Sequence, residues 1–334
     1  MTDMVDRTAT STLFGFDFQT NAAIVLMLDN IKDMSDIKME GYEDVEIRLS
    51  DGSSVLAQAK SAVNGSTDFS KALPNLKKAM ESLSDAYSKC PSTKQLIYIS
   101  NSANPLSIPS EKQIFLGVSS RRSYDSLPGK SKKRIDDILS SIKGPFDKSK
   151  LLIQTFYFET DDEKERNKYV VDYVIKDFIT TIGINSVTPS ELHKIWHYDI
   201  FKSGTKRDSR LKLTKNDVIW PVIVLATNNM NFDDEDLDDS ETEEITRLYK
   251  DVINLCTEKY EFVTKVLYAY NVFYEGTKKE RAGLFINSHY KDYLYLLDDV
   301  TMNDDIKECL IKIILRNVLN KRIQINRIKE ATKL

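Results

Sequence analysis

The chain has 334 residues with 47 Lys and Arg against 51 Asp and Glu, a net charge of −4 at pH 7. A hydrophobic content of 41% with 29% charged residues excludes a disordered chain and leaves room for one large core or two. The three cysteines, Cys90, Cys256 and Cys309, are too few and too far apart for a disulfide framework or a CxxC metal pair. The polar stretch Met1–Thr12 is no secretory signal, and the longest apolar run, Ala22–Leu28, is too short to cross a bilayer. A cytoplasmic protein with no membrane partner is the expectation.

Leu13–Ile31 carries Phe14, Phe18, Ala22, Val25 and Leu28 at helical spacing, with apolar residues around much of the circumference, which predicts a largely buried first helix. Three short strands follow, Ile37–Glu40, Asp44–Leu49 and Ser54–Lys60, separated by Gly41 and by Asp51-Gly52. Ser70–Lys89 spaces Leu73, Leu76, Met80, Leu83 and Tyr87 as a helix does. Gln95–Ser100 ("QLIYIS") and Leu151–Glu159 ("LLIQTFYFE") read as buried strands. Asn101–Lys148, rich in Ser, Pro, Gly and Lys, reads as loops around one or two short helices. Beyond Asp161 the pattern is helical, broken by Asn228–Glu244 and resumed in Ile245–Tyr274 and Met302–Lys329.

The order predicts an α/β core with a small mixed sheet flanked by helices, followed by an α-helical C-terminal region. Residues 1–228 form the first domain in this reading, and 229–334 a helical domain for oligomerisation or partner docking. Charge is segmented. Ser70–Arg134 holds 12 Lys and Arg against 4 Asp and Glu, while nine of the twelve residues in Asp233–Glu244 are acidic.

The hairpin "DVEIRLSDGSSVLAQAK", Asp44–Lys60, carries the chemistry. Strand alternation puts Asp44, Glu46 and Arg48 on one face and Val45, Ile47 and Leu49 on the other. A two-residue turn at Asp51-Gly52 would pair Asp44 with Ala59. A three-residue loop, Ser50-Asp51-Gly52, needs positive φ at its third position, which glycine supplies, and sets Asp44 across from Gln58. The second register also aligns Ile47 with Val55 and Val45 with Ala57, so both faces are consistent. It gathers a carboxylate, an amide and the Lys60 ammonium at one end of the sheet. Oxygen ligands suit a hard cation such as Mg²⁺, and a neighbouring lysine can orient water or stabilise charge on an attacked phosphate.

"GFDFQTNAAIVLML", then "EGYEDVEI", then "LAQAK" resembles the restriction-endonuclease-like PD-(D/E)xK nucleases. The likeness is to the Mrr-like branch and to the CD-NTase-associated double-stranded DNA endonucleases of bacterial anti-phage defence. It implies a restriction-endonuclease-like core, with Gln19 at the first-helix position, Asp44 at the aspartate, and Gln58 and Lys60 as the terminal motif. Asp44, Gln58 and Glu40 would then ligate Mg²⁺, with Mn²⁺ as a possible substitute. Gln19 and Gln58 are neutral where many members carry Glu, so Glu40, Glu43 or Glu46 would have to join Asp44. The motifs lie within residues 14–62.

The implied function is a double-stranded DNA endonuclease, the effector of a defence system. Partner subunits (SMC-like in the Lamassu type) or homo-oligomerisation would restrain it. Lys77, Lys78, Arg121, Arg122, Lys132, Lys133 and Arg134 are the candidates for phosphate-backbone contacts. A catalytically silent scaffold and an RNA-cleaving enzyme are the alternatives. Two other motifs lead nowhere. "HKIWH" puts Lys194 where a zinc protease needs Glu after His193, so His193 and His197 read as a packed face around Trp196. "PGKSKKR" lacks the upstream glycine of a P-loop, with Tyr124 in its place.

Overall fold

The helix that begins the described chain is apolar nearly all round, and the reason is that it lies under a sheet. In this computed structural model, α1 (Thr10–Asp29) has Phe18 and every residue from Ala22 to Met27 at 0–1% exposure. It stops at Asn30, whose side-chain amide donates to the Leu26 carbonyl at 2.8 Å and satisfies an acceptor of the last turn. The described residues are 10–184, 186–205, 212–227, 261–298 and 303–334.

The chain divides into two compact units, Met1–Phe178 with Pro189–Lys215, and Ile179–Thr188 with Asn216–Leu334. The expected domain boundary at 228/229 lies outside the described residues. So do the acidic run Asp233–Glu244 and Cys256.

The first unit is built on seven strands, two more than expected: β1 (Met34–Met39), β2 (Val45–Leu49), β3 (Ser54–Lys60), β4 (Thr93–Ser100), β5 (Ser119–Ser123), β6 (Leu151–Phe156) and β7 (Leu213–Thr214). Their order is β5-β6-β4-β3-β2-β1-β7. The three central strands β3, β4 and β6 run parallel, and the remaining pairs are antiparallel. The parallel β3–β4 pair needs a crossover, supplied by helix α2 (Ala72–Lys89).

The two added strands are at the two edges. Neither edge has to bury side chains on both faces, so neither carries an apolar pattern. β5 reads "SSRRS", a charged rim of the kind that discourages edge-to-edge association. β7 is two residues long and pairs Leu213 with Ile37 and Thr214 with Asp36.

Pleating divides the central strands between two helical layers. Val55, Ala57 and Ala59 of β3 face α1. Leu56 joins Leu96, Tyr98, Leu151 and Ile153 in a core closed by Leu76, Met80 and Leu83 of α2. Ile135 and Ile138 of α3 (Gly129–Leu139) complete that core. Each such fully buried leucine contributes about 1.5–3 kcal/mol, so Leu76→Ala is a change that loosens this layer. After short helix α4 (Glu163–Arg166), a π-helical segment, Tyr169–Ile175, runs into α5 (Lys176–Thr181). Helix α6 (Pro189–Gly204) packs beside α1 and β1.

The hairpin takes the expected register: Val45 pairs with Ala57, Ile47 with Val55 and Arg48 with Ser54. Ser50, Asp51 and Gly52 form the loop, with Gly52 at φ +82° and its N–H donating to the Leu49 carbonyl at 3.0 Å.

The second unit is helical among its described residues. It comprises α7 (Lys215–Thr227), α8 (Glu261–Val272), α9 (Arg281–His289), α10 (Asp304–Asn320) and α11 (Arg322–Thr332), with a 3₁₀ segment at Tyr290–Leu297. Phe285, Leu297, Leu310, Leu315 and Ile325 are its fully buried centre. Asn303 caps α10, its side chain accepting from the Asp305 N–H at 3.2 Å. The segment read as one amphipathic stretch, Met302–Lys329, is two helices broken at Lys321. Among the described residues no helix is long and apolar enough to cross a membrane.

Candidate active site

Because β2 and β3 are antiparallel, the residue before β2 and the last residues of β3 meet at one end of the sheet. The side chain of Asp44 is the centre of that meeting. The Gln58 amide donates Nε2–H to its Oδ2. The Ala59 backbone N–H donates to the same oxygen at 2.8 Å, and Lys60 Nζ lies 3.7 Å from it. The Asp44 side chain is 14% exposed and that of Lys60 29%, so the pair is largely but not fully withdrawn from water. Asp44, Gln58 and Lys60 are therefore brought together as the hairpin register requires. With the amide in this orientation Gln58 steadies Asp44 through its nitrogen.

The loop joining β1 to β2, Glu40–Asp44, adds two more carboxylates. It is closed by Glu40 N–H to the Asp44 carbonyl at 3.1 Å and by Gly41 N–H to the Glu43 carbonyl at 3.0 Å. Glu40 takes up left-handed backbone, φ +52°, which costs a residue with a Cβ about 1 kcal/mol. Its carboxyl is raised by partial burial and by the Asp44 charge, with Lys60 acting in the other direction. Glu46 braces the loop from below, its Oε2 accepting the Tyr42 N–H at 3.3 Å. A Cβ at residue 41 would lie 2.5 Å from that same Oε2, so a larger residue there would have to displace the Glu46 carboxylate.

Glu43, one of the three carboxylates considered as a partner for Asp44, is the most unusual group in the site. It is 5% exposed, and Ser82 of α2 donates to its Oε2 at 3.0 Å, while Oε1 is buried without a partner. Burial pushes its carboxyl up to about 7, helped by the Asp44 charge and opposed by the Ser82 bond and by Lys60. Strand alternation from Val45 backwards assigns residue 43 to the α1 side. The loop has left the pleat by then, and the side chain turns to α2 instead.

Gln19 of α1 is half-buried with Oε1 unpartnered, and no hydrogen bond joins it to Asp44, Gln58 or Lys60. Among the described residues no three His, Cys, Asp or Glu side chains converge on a common metal position. The donor set nevertheless suits Mg²⁺, which keeps several waters and needs only one or two protein carboxylates. Asp44 with Glu40 or Glu43 supplies hard oxygens, and the Glu40 and Glu43 carboxyls are raised chiefly by burial, with the Asp44 charge adding to it.

A second polar cluster joins α1, α4 and α6. His193 Nε2 is 2.9 Å from Asn21 Oδ1, and His197 Nε2 is 2.9 Å from Asp17 Oδ1. Arg166 Nη2 is 3.0 Å from the other oxygen of Asp17. Burial holds His193 down to about 4. With Trp196 at 1% exposure, this is the packed face expected of "HKIWH".

The basic candidates belong to three elements. Lys77 and Lys78 are exposed on α2; Lys132, Lys133 and Arg134 lie along α3. Arg121 and Arg122 occupy edge strand β5, where Arg121 pairs with Asp29 at 2.8 Å and Arg122 Nε donates to the Ile114 carbonyl at 3.2 Å. No family model, curated protein or solved structure matches this chain.

Proposed function

We propose that the chain is a metal-dependent nuclease that hydrolyses phosphodiester bonds in double-stranded DNA, working as a restrained effector in bacterial anti-phage defence. One observation supports this above the others: Gln58, the Ala59 N–H and Lys60 converge on the Asp44 carboxylate. Asp44, with Glu40 or Glu43, would hold Mg²⁺ or Mn²⁺. The ion supplies Lewis acidity and an activated water when bound. Lys60 places its ammonium beside the carboxylate, where it neutralises charge that builds on the attacked phosphate. Gln58 and the Ala59 N–H fix the Asp44 rotamer, so its remaining lone pairs are aimed before substrate arrives. Exposed lysines of α2 and α3 would make sequence-independent backbone contacts.

The nuclease assignment is tested with supercoiled plasmid plus Mg²⁺, Mn²⁺ or a chelator, using the wild-type chain, Asp44→Ala and Lys60→Ala. Metal-dependent nicking by the wild type alone supports it. Equal nicking by all three proteins removes the site. The direct Lys60–Asp44 pair, together with the missing three-carboxylate convergence among the described residues, favours a second reading. In that reading the fold persists as a catalytically silent scaffold, and wild type supplied with its partners cuts neither DNA nor RNA.

A further inference from the structure

Three parallel strands end side by side in the first unit, and one of them ends on Lys60. Open sheets place their ligands outside the carboxyl ends of such strands. Lys60 and Ser100 are the last pair of the β3–β4 ladder, so backbone pairing stops at the residue the chemistry needs held. An ammonium on a flexible four-carbon stem is placed no better than the backbone that carries it. Before Lys60 that backbone is fixed, since the Ala59 N–H donates to Asp44 Oδ2 at 2.8 Å. After Lys60 the chain leaves the sheet on its way to α2.

One side chain takes over where the ladder stops. Asn101, the residue after β4, is 5% exposed. Its Oδ1 accepts the Ala62 N–H at 2.9 Å, and its Nδ2 donates to the Ala62 carbonyl at 2.6 Å. This is the exchange that two opposed residues make in an antiparallel ladder, performed here by a side chain. The second hydrogen of Nδ2 goes to the Phe158 carbonyl, just beyond β6, at 2.7 Å. Both donor hydrogens of the amide are therefore used, and the extensions of β3, β4 and β6 are tied at one point. The fit is close: a Cβ at Gly65 would lie 2.8 Å from both the carbonyl oxygen and Oδ1 of Asn101. A second tie on the same loop is more open to water, the exposed Ser66 donating its hydroxyl to Glu159 Oε2 at 2.7 Å.

We propose that Asn101 is a positioning residue for Lys60: it locks the backbone beyond β3, so that the ammonium keeps its place beside Asp44 while a phosphate is attacked. It acts through Ala62, two residues past the lysine. The attack on a phosphate rests on the nuclease reading; the lock on Lys60 does not.

The test reads Lys60 in two ways, at a temperature where every protein compared is folded. The first is labelling of lysines with an N-hydroxysuccinimide ester, followed by peptide mass spectrometry. The second is plasmid cleavage with Mg²⁺, resolved into kcat and KM. The full chain is compared with Asn101→Ala, Gly65→Ala and Ser66→Ala. Asn101→Ala deletes all three bonds, whereas Gly65→Ala displaces the amide and leaves it present, so the second variant decides if the first does not fold. Labelling of Lys60, scaled to the exposed Lys77 and Lys78 of the same chain, should rise severalfold in both. Their kcat should fall by about tenfold or more with KM nearly unchanged, because a displaced group costs the chemical step rather than binding. Ser66→Ala should keep wild-type labelling and kcat. Unchanged Lys60 labelling in Asn101→Ala and Gly65→Ala, an equal rise in Ser66→Ala, or an unaltered kcat in an active enzyme overturns the lock. A wild type that never cuts plasmid sinks the nuclease reading alone, and the labelling still decides the role of Asn101.

Discussion

Two polar clusters are built into the first unit, and they differ in how their charges are closed. Around Asp17 both carboxylate oxygens have cationic or imidazole partners, and His193 is matched by the Asn21 oxygen. Around Asp44 three carboxyl groups crowd one end of the sheet, Glu43 keeps a buried oxygen without a partner, and Glu40 holds strained backbone. A closed network is what stability selects, since a buried polar group without a partner costs about 1–3 kcal/mol. A crowded and open one persists when something outside the chain completes it. The residue types are similar in the two places; around Asp17 both acidic oxygens are engaged and only the Arg166 Nε is left without a partner, whereas around Asp44 the open atom is an oxygen of an acid.

The sharpest way to break that contrast is to remove one member from each cluster. Lys60→Ala is expected to slow plasmid cleavage by at least about a hundredfold, the scale for deleting one charge-stabilising donor. His197→Gln, which touches only the closed network, should leave the rate within about twofold and lower the melting temperature instead. Comparable rate losses in both variants would erase the distinction.

Acid should attack the closed cluster first. His193 is neutral in the folded chain because burial holds it at about 4, against 6.5 when exposed. Between those values the unfolded chain binds the extra proton, so stability falls as pH drops from 6.5 towards 4, by up to about 3 kcal/mol. Urea unfolding at pH 7 and pH 4.5 should show that loss in the wild type and much less of it in His193→Gln. Identical pH dependence in the two proteins would mean that His193 is not the group responsible.

The hairpin register was legible because two faces had to be consistent at once. Only the three-residue loop places Val45 opposite Ala57 while giving Gly52 its positive φ. The central strands β4 and β6 announced themselves as apolar, β-rich runs, and both are buried along nearly their whole length. Edge strand β5 did not, because "SSRRS" contains no apolar residue and pairing with β6 alone shapes it. Glu43 was legible as a partner for Asp44 but its burial against α2 was not, because pleat alternation is a rule of strands and the loop turns this side chain towards Ser82. The count of lysines and arginines between Ser70 and Arg134 gave a local charge without a surface. The fold spreads those residues over two helices and an edge, and Asp29 engages Arg121. The Asn101 tie needed β3, β4 and β6 side by side, which no local pattern encodes.

The open cluster should show the opposite pH signature. Glu43 titrates near 7 when folded and near 4.5 when unfolded, so the folded chain binds more protons between those values. Stability contributed by the neutral carboxyl is complete below 4.5 and is lost as pH rises to about 7, by up to about 3 kcal/mol. Glu43→Gln keeps an oxygen for the Ser82 hydroxyl and cannot ionise, so its unfolding free energy at pH 8 should exceed that of the wild type. Added Mg²⁺ should narrow the gap if the cation offsets the same charge. A variant that is no more stable than wild type at pH 8 would show that Glu43 carries no such burden.

The smallest effect separates the two ends of the hairpin. At Gly52 a Cβ would meet nothing within 4 Å, so Gly52→Ala costs only the left-handed backbone, about 1 kcal/mol. Cleavage should be untouched, since the turn is at the far end of β2 and β3 from Asp44. Gly41→Ala brings a methyl group against Glu46 Oε2 and must move either that brace or the loop carrying Glu40, Glu43 and Asp44. Its cleavage rate should fall by more than its stability predicts, whereas that of Gly52→Ala should follow stability alone. Rates that track stability in both variants would mean that the β1–β2 loop is positioned no more tightly than the turn at the other end, and the pre-organisation assigned to Asp44 would go with it.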